Sequence, residues 1–152
     1  ARALVINPTD SDALLVHGQA QAKLGEHQAA IDAYRKALTF VPVDWCEPYT
    51  SMQESFGALG QPEQATWAET MATTCTGDRM AARERLAELA DGPAGVDAML
   101  SLGLMAEQDN EKALAVEWYR KVLERDARNI GAISALAGLG VGPDGTVVEP
   151  EK

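Results

Sequence analysis

The sequence predicts an all-α fold of antiparallel helix hairpins, and three observations carry that expectation. A pattern recurs at 34-residue spacing: Pro8 and Pro42 stand 34 apart, as do Ala3 and Ala37. Ala, Leu, Glu and Gln are frequent, whereas Val, Ile and Thr never run long enough to build a sheet. Finally, Leu24–Gly25 and Leu59–Gly60 recur as turn signals between helical stretches. At 152 residues the chain is long enough for one domain with a sizeable core.

The elements follow in order. Residues 1–8, ARALVINP, read as the end of a second helix whose first half lies upstream, so the natural protein is expected to extend beyond Ala1. The first complete unit spans 9–42. Thr9, Asp10 and Ser11 can cap its first helix, which should run to about Leu24. Its second helix should run from about Glu26 to Phe40, with Ala30, Tyr34, Ala37 and Leu38 facing inward. The second unit, 43–77, is weaker but in register at an offset of 35. Asp44 and Glu47 suggest a capping box, and Gln61–Pro62–Glu63 is a good helix start. An extra helix is expected within 78–92, stopped by Asp91–Gly92–Pro93, with Met80, Leu86 and Leu89 apolar and Arg83, Glu84 and Glu88 solvated. The third unit, 94–128, repeats the first at an offset of 85: Gly18 returns as Gly103, Ala30 as Ala115, and Tyr34–Arg35–Lys36 as Tyr119–Arg120–Lys121. Residues 129–140 read as a capping helix, and 141–152 as a flexible, Gly- and Pro-rich tail.

The stretch DALLVHGQAQAKLGEHQAAIDAYRKALTFVP, residues 12–42, resembles the tetratricopeptide repeat. It carries a small residue (Gly18) in the first helix, a turn at Gly25–Glu26, then Ala30, Tyr34 and Ala37, with Pro42 to close. The resemblance implies an α-solenoid, a right-handed superhelical stack of about seven or eight helices in which each hairpin buries its apolar face on a neighbour. The second unit departs from the pattern at Gln53, Glu69 and Gly77. A single inserted helix at 78–90 is expected to interrupt the alternation of first and second helices.

Charge and composition exclude several functions. A net charge of −10, with 13 basic residues scattered among 23 acidic ones, disfavours nucleic acid and anionic membranes. No apolar run approaches the ~20 residues that span a bilayer. His17 is expected to be packed or half-buried on the first helix, and His27 solvated in the turn. With no nearby Cys they give no zinc-like spacing, and no metal or other cofactor is expected. GLGVG, residues 138–142, follows a helix rather than a strand and so lacks the context of a dinucleotide loop. No nucleophile motif is present, and an enzyme is not expected.

Cys46 and Cys75 fall at the same end of the second hairpin, where a disulfide could form; two unpaired cysteines acting as small hydrophobes is the alternative. A disulfide would place the domain in an extracytoplasmic or periplasmic setting, and free thiols in the cytoplasm.

The resemblance implies a partner groove lined by the first helices: Asp12, Leu15, Gln19 and Lys23, then Glu47, Thr50 and Glu54, with Asp97, Leu100, Leu104 and Glu107 following if the groove continues. Some family members clamp a peptide carboxylate there with Lys, Arg and Asn. The matching places here carry Leu15, Gln19, Thr50 and Glu54, so that clamp is not expected. The expected function is non-catalytic binding of a protein or peptide, with a basic segment, within a larger bacterial protein that organises an assembly. A solvated acidic face is the bland alternative. The others are self-association as a homo-oligomer, a regulatory appendage to an enzyme encoded upstream, or, by analogy with the repeat segments of envelope cytochrome-assembly factors, a part in such assembly.

Overall fold

The computed structural model describes residues 10–39, 46–74 and 77–142, apart from the side chain of Thr39. Among the described residues there are eight α-helices: α1 Ser11–Lys23, α2 His27–Thr39, α3 Glu47–Ala58, α4 Pro62–Thr73, α5 Arg79–Leu89, α6 Gly95–Gln108, α7 Lys112–Arg125 and α8 Ile130–Gly138. The architecture is that of a tetratricopeptide-like α-solenoid, in which α1 pairs with α2, α3 with α4, and α6 with α7. The expected helix end at residues 1–8, together with Thr9, Phe40, Pro42, Asp44, Cys75 and residues 143–152, lies outside the described residues. The chain divides into two compact units, each larger than one repeat and hereafter the first and second unit: Ala1–Ala82 holds the repeats 9–42 and 43–77, and Arg83–Lys152 holds the repeat 94–128.

Each first helix ends in the same closure. After α1, Gly25 takes a φ of 81°, its N–H bonds the Ala22 carbonyl, and the Glu26 N–H reaches back to Gln21 at 2.9 Å. This pair of bonds satisfies carbonyls that the helix end would leave without partners. The closure recurs at Gly60 after α3 and at Asn110 after α6, where Asn stands in for Gly at a φ of 59°. It recurs again after α8, with Gly140 at 77° and the Val141 N–H on the Leu136 carbonyl at 2.9 Å. The helix expected as a cap therefore ends as the first helices of the hairpins do.

In the first unit, Asp10 caps α1 by accepting from the Ala13 N–H at 3.1 Å. Gly18 is buried against the ring of Tyr34, and a Cβ placed on it would stand 2.5 Å from Tyr34 Cε1. Ala30 and Ala37 are fully buried, so α2 lies close to its neighbours. The α3–α4 hairpin forms despite Gln53 and Glu69, because other residues fill its core: Met52, Phe56 and Trp67 are buried. The Trp67 ring meets Tyr49 and Phe56 edge-on, at centroid distances of 5.7 and 6.4 Å. The guanidinium of Arg35 sits 5.5 Å from the Trp67 ring centroid, so a cation–π contact ties α2 to this hairpin. Glu47 occupies the first position of α3, not the third, with Cys46 at the N-cap, so it cannot serve the expected capping box.

In the second unit, Gly103 meets Tyr119 as Gly18 meets Tyr34, with an added Cβ again 2.5 Å from the ring. Met99, Ala106, Ala115, Tyr119 and Val122 join Ala132 and Leu136 of α8 in one core. Helix α5 begins in the first unit, where Met80 is 71% exposed rather than part of an apolar face, and continues into the second, where Leu86 is fully buried. Nor is Arg83 merely solvated. Its guanidinium lies 2.9 Å from both Asp109 and Glu111, fastening α5 to the turn between α6 and α7. At the other end of α5, Arg125 Nη1 donates to the carbonyls of Ala90 and Gly92, each at 3.0 Å. Gly95 leaves room for this contact, since a Cβ there would fall 1.7 Å from Arg125 Nη1.

Candidate functional site

A groove of about 470 Å3 opens in the first unit, lined by Gln19, Ala22, Lys23, His27, Tyr34, Ser51, Glu54 and Ser55. Helix α1 supplies Gln19, Ala22 and Lys23 on one face, because residues three and four apart are neighbours on a helix. Helix α3 supplies Ser51, Glu54 and Ser55 by the same rule, and α2 enters with His27 and Tyr34.

The walls are cross-linked by weak polar contacts. Gln19 Nε2 donates to Ser51 Oγ at 3.5 Å, and His27 Nδ1 lies 3.3 Å from Ser55 Oγ. Burial pushes the Tyr34 hydroxyl above its ordinary pKa; a hydrogen bond from Ser51 opposes that rise and the Glu54 carboxylate adds to it. Lys23 and Glu54 are both exposed, and no ion pair joins them among the described residues.

Of the residues expected to form a groove, Gln19, Lys23 and Glu54 come together here. Asp12, Glu47 and Thr50 are exposed but do not line it, and Leu15 is buried at 5% exposure. Thr50 stands about 100° around the helix from Ser51, so the wall facing α1 is made by the next residue along. Asp97, Leu100 and Leu104 belong to the second unit. There Asp97 is half-buried, Leu100 packs on the core and Leu104 is 45% exposed. Sequence reasoning missed Ala22, His27, Tyr34, Ser51 and Ser55 as groove residues, although the i, i+4 spacing of Ser51 and Ser55 around Glu54 was a usable signal. The histidines are reversed from expectation: His17 is exposed, while His27 is half-buried against Ser55.

The second unit uses the equivalent tyrosine differently. The Tyr119 hydroxyl donates to the Glu107 carboxylate within its own hairpin. Burial first, then that carboxylate, holds its pKa above the ordinary phenol value. A smaller cleft of about 360 Å3, between α5, α6 and α7, is lined by Met99, Trp118, Lys121 and Arg125 among others, with Lys121 Nζ 4.7 Å from the Trp118 ring centroid.

Among the described residues no cluster of three or more His, Cys, Asp or Glu could hold a metal, and no helix is long and apolar enough to cross a membrane. Of the Gly-rich run 138–142, Gly138 ends α8 and Gly140 closes its turn. Cys46 Sγ lies 3.6 Å from the Met71 carbonyl in the last turn of α4. No free cysteine is present among the described residues, and Cys75 is outside them.

Comparison with curated proteins found no match. The family model for the tetratricopeptide repeat matches residues 1–44 and 76–130, and thus covers more than half of the chain while leaving the divergent α3–α4 hairpin between its two segments. The chain belongs to the tetratricopeptide repeat family.

Proposed function

We propose that the chain is a non-catalytic segment of a larger assembly-type protein, and that it binds a protein or peptide partner through the groove between α1 and α3. Tetratricopeptide repeats generally mediate protein–protein interaction, and the fold is typically a binding scaffold. The observation that carries the reading is the groove itself: a concave site between α1 and α3, with His27 and Tyr34 of α2 between polar side chains and exposed Lys23 and Glu54 in its lining. A partner with a basic segment is favoured, because residues 10–74 hold nine acidic side chains against three basic ones.

A photo-cross-linking residue at Ser51 tests the site. Partner trapped from native extract at Ser51, but not at exposed Glu117 on α7, is the expected result. Equal trapping at both places would remove the groove from the interface. Light scattering addresses self-association: a constant monomer mass supports the partner reading, and mass that grows with concentration would replace it with a homo-oligomer.

The same reading includes a disulfide between Cys46 and Cys75, supported by the approach of Cys46 Sγ to the last turn of α4. With that bond the setting is extracytoplasmic or periplasmic.

A further inference from the structure

We infer that the groove of the first unit recognises a peptide segment carrying both a basic and an acidic side chain, the basic one held by Glu54 and the acidic one by Lys23. The inference rests on the groove reading above and deepens it. Two opposite charges line one site, yet they form no ion pair with each other. The neutral polar groups of the lining are already engaged, Gln19 and Tyr34 with Ser51 and His27 with Ser55. The two charges are therefore the groove's open valences. A purely basic segment meets attraction at Glu54 and repulsion at Lys23; a purely acidic one meets the reverse. Only a segment with both signs gains at both ends.

Comparison with the second unit separates this arrangement from what the hairpin needs to fold. The two units share Gly18 and Gly103, Ala30 and Ala115, Tyr34 and Tyr119 at the offset of 85. At the groove positions they part: Leu104 stands where Gln19 does, Glu107 where Ala22 does, and Gln108 where Lys23 does. In the second unit Glu107 reaches the tyrosine hydroxyl and fills that space. In the first, Ala22 leaves it open, and Ala22 lines the groove. The Lys23–Glu54 arrangement is thus not a requirement of the repeat.

The test uses blocked ten-residue peptides in a Gly-Ser frame. One set carries Arg and Glu two residues apart, in both orders. The others carry Arg with Gln, and Gln with Glu. Binding is read by NMR from the Gln19 side-chain amide and the Ser51 backbone amide. One order of the doubly charged peptide should bind about 5-fold more tightly than either singly charged one, the scale expected of exposed charge pairs. Glu54→Gln should erase the advantage of Arg, and Lys23→Gln that of Glu. The Arg-only peptide should bind Lys23→Gln more tightly than the unaltered protein. Equal affinity of all peptides at these signals overturns the charge assignment and leaves the groove standing. No shift from any peptide, with Ser51 still cross-linking a partner, overturns the inference alone; loss of both overturns the groove as well.

Discussion

Gly103 and Gly18 are small because a tyrosine ring occupies the volume a side chain would need. Gly103→Ala should therefore destabilise the chain by roughly 1–3 kcal/mol, although Ala is the better helix former. A rise in thermal midpoint would show that the ring can move aside. The same tyrosines set a pH dependence. The folded protein holds the Tyr119 proton above the ordinary phenol value of 10.0, whereas the unfolded chain releases it there. The unfolded state thus binds fewer protons at high pH, and this contribution is complete below pH 10 and lost as pH rises through the folded value. Denaturant midpoints measured at pH 8 and at pH 11 should fall less steeply for Tyr119→Phe than for the unaltered chain. Identical slopes would remove Tyr119 from the alkaline transition.

At the scale of the element, the hairpin closures make glycine substitutions differ in sign. Gly25 has a φ of 81° with open space around it, so only the backbone objects to a side chain. Gly25→Ala should cost about 1–2 kcal/mol, the penalty of a left-handed L-residue. Gly57, exposed inside α3 with nothing near its Cβ direction, should instead gain roughly 0.5–1 kcal/mol on mutation to Ala. Matched thermal scans of the two variants check the contrast. These closures were legible because Leu24–Gly25 and Leu59–Gly60 are local signals. The tethering of α5 was not: Arg83 reads as a solvated helix residue, and its partners Asp109 and Glu111 lie 26 and 28 residues away. The groove was half legible for a related reason. Helical spacing located Gln19, Lys23 and Glu54, but which edge of α3 faces α1 depends on packing, which turned Ser51 inward and left Thr50 outside.

At the scale of the molecule, the α3–α4 hairpin departs furthest from the family pattern, and it carries Cys46 at its entry. The proposed bond to Cys75 would close a loop of about 30 residues and add on the order of 3–4 kcal/mol in the chain-entropy model. Thiol titration of the unfolded, unreduced protein should find no free thiol, and reduction should lower the thermal midpoint. Two titratable thiols would remove the bond and return the domain to a reducing compartment.

The repeated closure also bears on how quickly the chain finds its shape. Each reversal is completed within six residues, and each hairpin joins helices adjacent in sequence. Contacts of short sequence separation carry little loop-closure entropy, so each hairpin can form before distant parts of the chain meet. The turn should then already be made at the folding barrier. Gly25→Ala should express its cost mainly as slower refolding, with the unfolding limb of the chevron almost unmoved. An effect confined to the unfolding limb would mean that the helices meet first and the turn closes last.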